Sequence, residues 1–158
     1  MKRLIVLFMF LASSVFSDEV LTRDERIVAL TILGEARGEG KRGMEAVGCV
    51  IQKRMDEGNT LTPAQVCLEP WQFSIWNAGR GKVKKESELH YLWGSPSMKE
   101  AREIARKVCR HGMNQKLTGG ANHFCTLEKK PYWAFDKEAK RWIKPTKIIG
   151  NHKFFKLK

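Results

Sequence analysis

Thr22-Arg23-Asp24-Glu25, Thr62-Pro63-Ala64-Gln65 and Ser97-Met98-Lys99-Glu100 each set a hydroxyl three residues ahead of a Glu or Gln. That pattern caps the unpaired N–H groups at a helix start, because hydroxyl and acid or amide bond reciprocally to the backbone. Three such starts in one short chain confine it to helix-dominated folds.

Behind the first box, Ile27, Leu30, Ile32 and Leu33 recur at helical spacing. They predict a helix from about Arg23 that loses order between Gly34 and Gly40, where Gly34, Gly38 and Gly40 interrupt it. Met44, Val47, Ile51 and Met55 predict a second helix over about 43–57, with Gly48 leaving room for another helix to approach. Pro63 suits the first position of a short third helix ending near Leu68. Met98, Ala101, Ile104, Ala105 and Val108 form a stripe running to Gly112. After Thr118-Gly119-Gly120 the character changes. Asn122 to Leu127 and Lys147 to Ile149 are short β-leaning runs separated by Pro131, Pro145 and Gly150. The expected class is α+β, mainly helical, with a small C-terminal β-hairpin region.

The chain begins Lys2-Arg3, then runs uncharged from Leu4 to Leu11 and through small residues to Ser17. This is the pattern of a secretory signal peptide, since the apolar run is short of the ~20 residues that span a bilayer. The expected organisation is a signal peptide over 1–17 and one domain over 18–158, exported to the periplasm or outside the cell. In such a compartment Cys49, Cys67, Cys109 and Cys125 are expected to form two bridges, in any of three pairings. No CxxC or HExxH spacing suggests a metal, and no cofactor fingerprint is present.

The formal charge is +12, and dropping Lys2 and Arg3 lowers it to +10. A field of that sign draws polyanions. Nucleic acid is disfavoured because the aromatic residues cluster in one segment instead of interleaving with the basic ones. Anionic wall polymers or lipid headgroups fit an exported chain better, which implies peripheral association with the wall or envelope.

One segment, Trp71-Gln72-Phe73-Ser74-Ile75-Trp76-Asn77, gathers three aromatics with amides and a hydroxyl. Sugars stack their apolar faces on aromatic rings while amides and hydroxyls bond their edges, so the segment suits a saccharide groove. The same rings could equally plug a core. Cleaving a glycosidic bond requires a carboxylic acid to protonate the departing oxygen. Glu35, at a helix end behind Thr31-Ile32-Leu33-Gly34, is the best-placed candidate, because an apolar approach desolvates a carboxyl. Glu39, beyond Gly38, reads as a loop or capping residue. His123 and His152 sit in strand-like runs, where a histidine serves either as a structural hydrogen-bonding group or as a catalyst.

Ile32-Leu33-Gly34-Glu35-Ala36-Arg37-Gly38-Glu39-Gly40, followed by Gly43 to Gly48 and Val50 to Arg54, resembles the opening of the spore-cortex-lytic type of cell-wall hydrolases. Later segments follow in similar order: Pro63 to Val66, Gln72 to Asn77, Thr118 to Phe124, Pro131 to Ala134 and Ile149 to Phe155. The resemblance implies a lysozyme-like domain acting on peptidoglycan between N-acetylmuramic acid and N-acetylglucosamine. It implies Glu35 as the catalytic acid, with Gln72, Phe73 and Ser74 lining the cleft and His123 on a strand facing it. Trp76, Asn77 and Trp133, in the matching segments, complete the expected substrate-binding set. Ile75 stands where many relatives carry cysteine, so their local disulfide does not transfer to Cys67. Gln115-Lys116-Leu117 departs from the acidic-proline pair that the family commonly has.

The expected reaction is lytic transglycosylation by a monomer. It needs one carboxylate, whereas hydrolysis with water normally needs two. Glu69 and Asp136 are the candidate partners for that alternative. A basic wall-binding protein without catalysis is the rival from another class.

Overall fold

The computed structural model describes residues 20–58 and 61–158, so the expected signal segment over 1–17 lies outside the described residues. Among the described residues four α-helices carry the fold: α1 (Arg23–Ala36), α2 (Gly40–Gly58), α3 (Pro63–Leu68) and α4 (Met98–Arg106). Helix α1 is central, packed against the other three. Every residue from Ile27 to Leu33 is buried, which is why its apolar residues wrap the helix instead of keeping to one stripe. Its capping box forms as expected, the Thr22 Oγ1 accepting from Glu25 N–H at 3.2 Å and Glu25 Oε2 accepting from Thr22 N–H at 2.8 Å. The other oxygen of the buried Glu25 accepts from Arg110 Nε at 2.6 Å. Burial alone pushes this carboxyl up, but the Thr22 N–H and the Arg110 guanidinium outweigh it, and its net shift is downward.

The second box, at Thr62, also closes. The third does not: Ser97 makes no side-chain cap, and its ψ of 4° departs from the extended backbone of a capping residue. The glycine-rich stretch after α1 interrupts helix less than expected. Helix α1 runs to Ala36, a single 3-10 turn spans Arg37–Glu39, and α2 starts at Gly40, three residues earlier than its apolar stripe indicated. At Gly48 a Cβ would lie 3.0 Å from Ile104 of α4, the close helix approach expected there.

Among the described residues seven short strands form three small sheets. β1 (Asn77–Gly79) and β2 (Lys82–Val83) form a hairpin, as do β4 (Phe135–Asp136) and β5 (Arg141–Trp142). The main sheet is antiparallel, in the order β3 (His123–Thr126), β7 (His152–Phe155), β6 (Lys147–Ile149). Ala46 and Val50 of α2 pack with Ala121, Ile149 and Phe154 in a cluster that fastens this sheet to the helices. Phe124 touches both this cluster and the main helical core. The protein is thus a mainly helical α+β structure.

The two expected disulfides are not formed. All four cysteines are free, Cys49 and Cys67 fully buried. Burial pushes the thiols up, to about 11 for Cys49 and about 12 for Cys67 and Cys109, so they behave as apolar filling. Among the described residues, no helix is long and apolar enough to cross a membrane.

Candidate active site

Glu35 occupies the last turn of α1, and the segment at residues 72–76 folds across it. Gly34 permits this contact: a Cβ there would fall inside the Ile75 side chain. With Ile75 seated on Gly34, its N–H reaches Glu35 Oε1 at 3.0 Å, and the Ser74 hydroxyl donates to the same oxygen at 3.0 Å. Oε2 takes no hydrogen bond from the described residues. One oxygen is therefore anchored and the other is left for a ligand.

The carboxyl lines a cleft of about 630 Å³ between the helices and the main sheet. Of the expected site residues, Glu35, Gln72, Ser74, Asn77, His123 and Trp133 line it. Phe73 and Trp76 do not. Both are 1 % exposed, and each belongs to the core beneath the cleft floor. The Trp76 indole N–H is consumed by the Thr31 hydroxyl at 2.8 Å, so the core alternative holds for these two rings. Trp71 is the aromatic that this segment offers instead, 65 % exposed at the cleft edge. It sits in the left-handed region at φ 69°, a strained backbone for a bulky residue. Asn77 Oδ1 accepts the Trp71 N–H at 3.3 Å, so Asn77 helps hold that conformation. Across the cleft Tyr132 stands 84 % exposed.

A network behind His123 fixes its ring. Asn122 Nδ2 donates to the Glu57 carboxylate at 3.0 Å and to the Leu157 carbonyl at 3.0 Å, while its Oδ1 accepts from Leu157 N–H at 2.9 Å. The amide can point only one way, so Oδ1 also accepts from His123 Nδ1–H at 3.0 Å. Burial, then the nearby Arg54 charge, push the His123 pKa down from 6.5 to about 4. The ring is neutral at pH 7, and its Nε2 lone pair, unbonded among the described residues, is available at the cleft.

Arg54, which is not among the expected site residues, and His152, which the sequence leaves open between a structural and a catalytic role, also line the cleft. Arg54 donates from Nε to the Asn122 carbonyl at 2.7 Å and lies over the Phe73 ring at 4.9 Å. Burial pushes its pKa down, against the opposing pull of nearby acids that include Glu35. A signal for it did exist: Arg54 is seven residues after Val47 and three after Ile51, a charge on the buried face of α2. His152 is buried on β7, its ring edge-on to Phe124 at 5.3 Å. Glu39 lies outside the cleft and accepts the Asn151 N–H at 2.7 Å, pinning the β6–β7 turn to the end of α1. No group of three His, Cys, Asp or Glu side chains among the described residues gathers as metal ligands would.

Two solved structures share this fold. The catalytic domain of the germination-specific lytic transglycosylase SleB from Bacillus anthracis superposes with a TM-score of 0.61 at 22% identity, over 88% of this chain and 98% of that one. The catalytic domain of the Bacillus cereus SleB protein gives 0.54 at 21% identity, over 84% and 89%. Among curated proteins no sequence match is found. The sequence profile described as Cell Wall Hydrolase matches residues 38–155, a span that begins three residues after Glu35, so the case for that side chain rests on its geometry. With most of the chain inside that match, the protein belongs to the cell wall hydrolase family.

Proposed function

We propose that this protein cleaves peptidoglycan glycan strands between N-acetylmuramic acid and N-acetylglucosamine as a lytic transglycosylase, with Glu35 as acid and then base. One observation carries the choice of reaction: Glu35 is the single carboxylate among the described residues lining the cleft. Asp136 lines a different cavity, and Glu69 lines neither. Hydrolysis by paired carboxylates, about 5 to 9.5 Å apart, finds no second carboxylate among the described residues that line the cleft. The SleB catalytic domain from Bacillus anthracis, which shares the fold, is that of a lytic transglycosylase, and this supports the same reading.

The reaction balances on one side chain. Glu35 Oε2–H gives its proton to the bridging oxygen as the glycosidic C–O bond breaks. The resulting carboxylate takes the proton of the muramic acid primary hydroxyl, whose oxygen bonds the anomeric carbon. Glu35 ends protonated, and no water is consumed. Ser74 and Ile75 hold Oε1 throughout, which keeps the acid oriented without occupying the working oxygen. Trp71 and Tyr132 offer exposed ring faces to sugars, Trp133 adds a further wall, and Gln72 and the neutral His123 Nε2 bond sugar polar groups.

The setting we propose is export to the periplasm or beyond, and action as a monomer in peripheral contact with the wall. Mass spectrometry of digested peptidoglycan tests the chemistry. Anhydromuramic ends are expected; reducing muramic ends would establish hydrolysis by water instead.

A further inference from the structure

A second cavity, of about 690 Å³, opens on the far side of Trp133, so that one indole forms a wall of both spaces. Its other walls come from the β4–β5 hairpin and from the residues after β7. The segment over 129–147, whose lysine content the cleavage reading leaves unexplained, supplies much of it.

The charge is net positive, with Arg141, Lys144, Lys156 and Lys158 outnumbering Asp136 and Glu138. The Asp136 Oδ1 is already engaged, accepting the Glu138 and Ala139 N–H groups at 3.0 and 2.9 Å to close the hairpin turn. None of the four cationic side chains has an ion pair or hydrogen bond among the described residues. The excess of positive over negative side chains round a concave space focuses its field inward, so an entering anion is attracted there. Trp142, half-exposed and braced edge-on by Phe135 at 5.3 Å, adds an apolar face beside the charges. A volume of this size suits a short peptide better than a single ion.

We infer that this cavity binds the carboxylate-bearing peptide stem of the glycan strand whose sugars occupy the cleft. The inference rests on the peptidoglycan reading above. Each muramic acid carries such a stem, and a strand passing Trp133 delivers one to the cations beyond. The cavity then makes the enzyme prefer strands whose stems are intact.

The test uses Glu35→Gln protein, so that the ligand is not consumed, and isothermal titration at low salt. The probes are a soluble peptidoglycan tetrasaccharide with its stems and the same fragment after an amidase has removed them. The parent should bind the stem-bearing fragment about tenfold more tightly, and a Lys144→Glu, Lys156→Glu double reversal should bind both alike. Equal affinity of the parent for both fragments overturns the inference, as does a stem preference that survives the reversal. Stronger competition at the cavity by polyglycerol phosphate than by the stem-bearing fragment also overturns it, in favour of a separate wall polymer. Failure of the cleavage reading is distinguishable, since the stripped fragment would then bind to neither protein.

Discussion

Gly34 and Ile75 share a space that no two side chains could occupy, and this contact brings the Ile75 N–H to the Glu35 carboxylate at 3.0 Å. The position of the candidate acid therefore depends on a missing methyl group one residue before it.

A Gly34→Ala substitution pushes the 72–76 segment off α1. The overpacking should cost about 1–3 kcal/mol. Peptidoglycan cleavage should fall by about a hundredfold because both bonds to Oε1 lengthen together. Thermal unfolding and clearing assays on the one variant read the two effects.

Trp71 and Trp76 should separate cleanly. Trp71→Ala removes an exposed stacking face, raising KM by about fivefold with little change in melting temperature. Trp76→Phe strands the Thr31 hydroxyl's buried partner position and should cost about 1–3 kcal/mol of stability while KM holds. The reverse pattern would return Trp76 to the groove.

That pair also marks how far the sequence could be read. Capping at Thr22 and Thr62, the apolar stripes and the approach at Gly48 are local properties, and they are found where the sequence indicates. Trp71 faces the cleft from a left-handed backbone while Trp76 is drawn into the core, a difference that composition does not disclose. Ser97 has the letters of a capping box without its backbone angles. Two strands of the sheet, β3 and β7, bring His123 and His152 to one cleft from positions 29 residues apart, a pairing that only the long-range register creates. The four cysteines are likewise free, which an even cysteine count does not indicate.

Stability should fall with acid in two adjoining windows that overlap between about 4.5 and 4. Unfolded His123 takes up its proton as pH falls through about 6.5, the buried ring only near 4, so the unfolded state binds more protons between those values and stability drops across them. His123→Phe should flatten that slope. Glu25 has a folded value below its ordinary 4.5, the hydrogen bonds outweighing burial, so its contribution is full above that value and is lost as pH falls through the folded one. Glu25→Gln should leave the upper window unchanged and remove the lower one. Melting temperature followed from pH 7.5 to 3 separates them, and a single common slope in all three proteins would refute both assignments.

Glu39→Ala should release the Asn151 N–H and loosen the turn between β6 and β7, costing about 1 kcal/mol. Hydrogen exchange should rise at residues 149–152 while the amides of α1 stay protected. Uniform protection across that turn would mean the contact contributes nothing.

The most direct test of the whole account is turbidity loss of purified peptidoglycan by the wild-type protein beside Glu35→Gln. The wild type should clear the suspension, and the variant, with the same fold and no proton to give, should be at least about a hundredfold slower. Equal clearing by both would take Glu35 out of the chemistry and contradict the account.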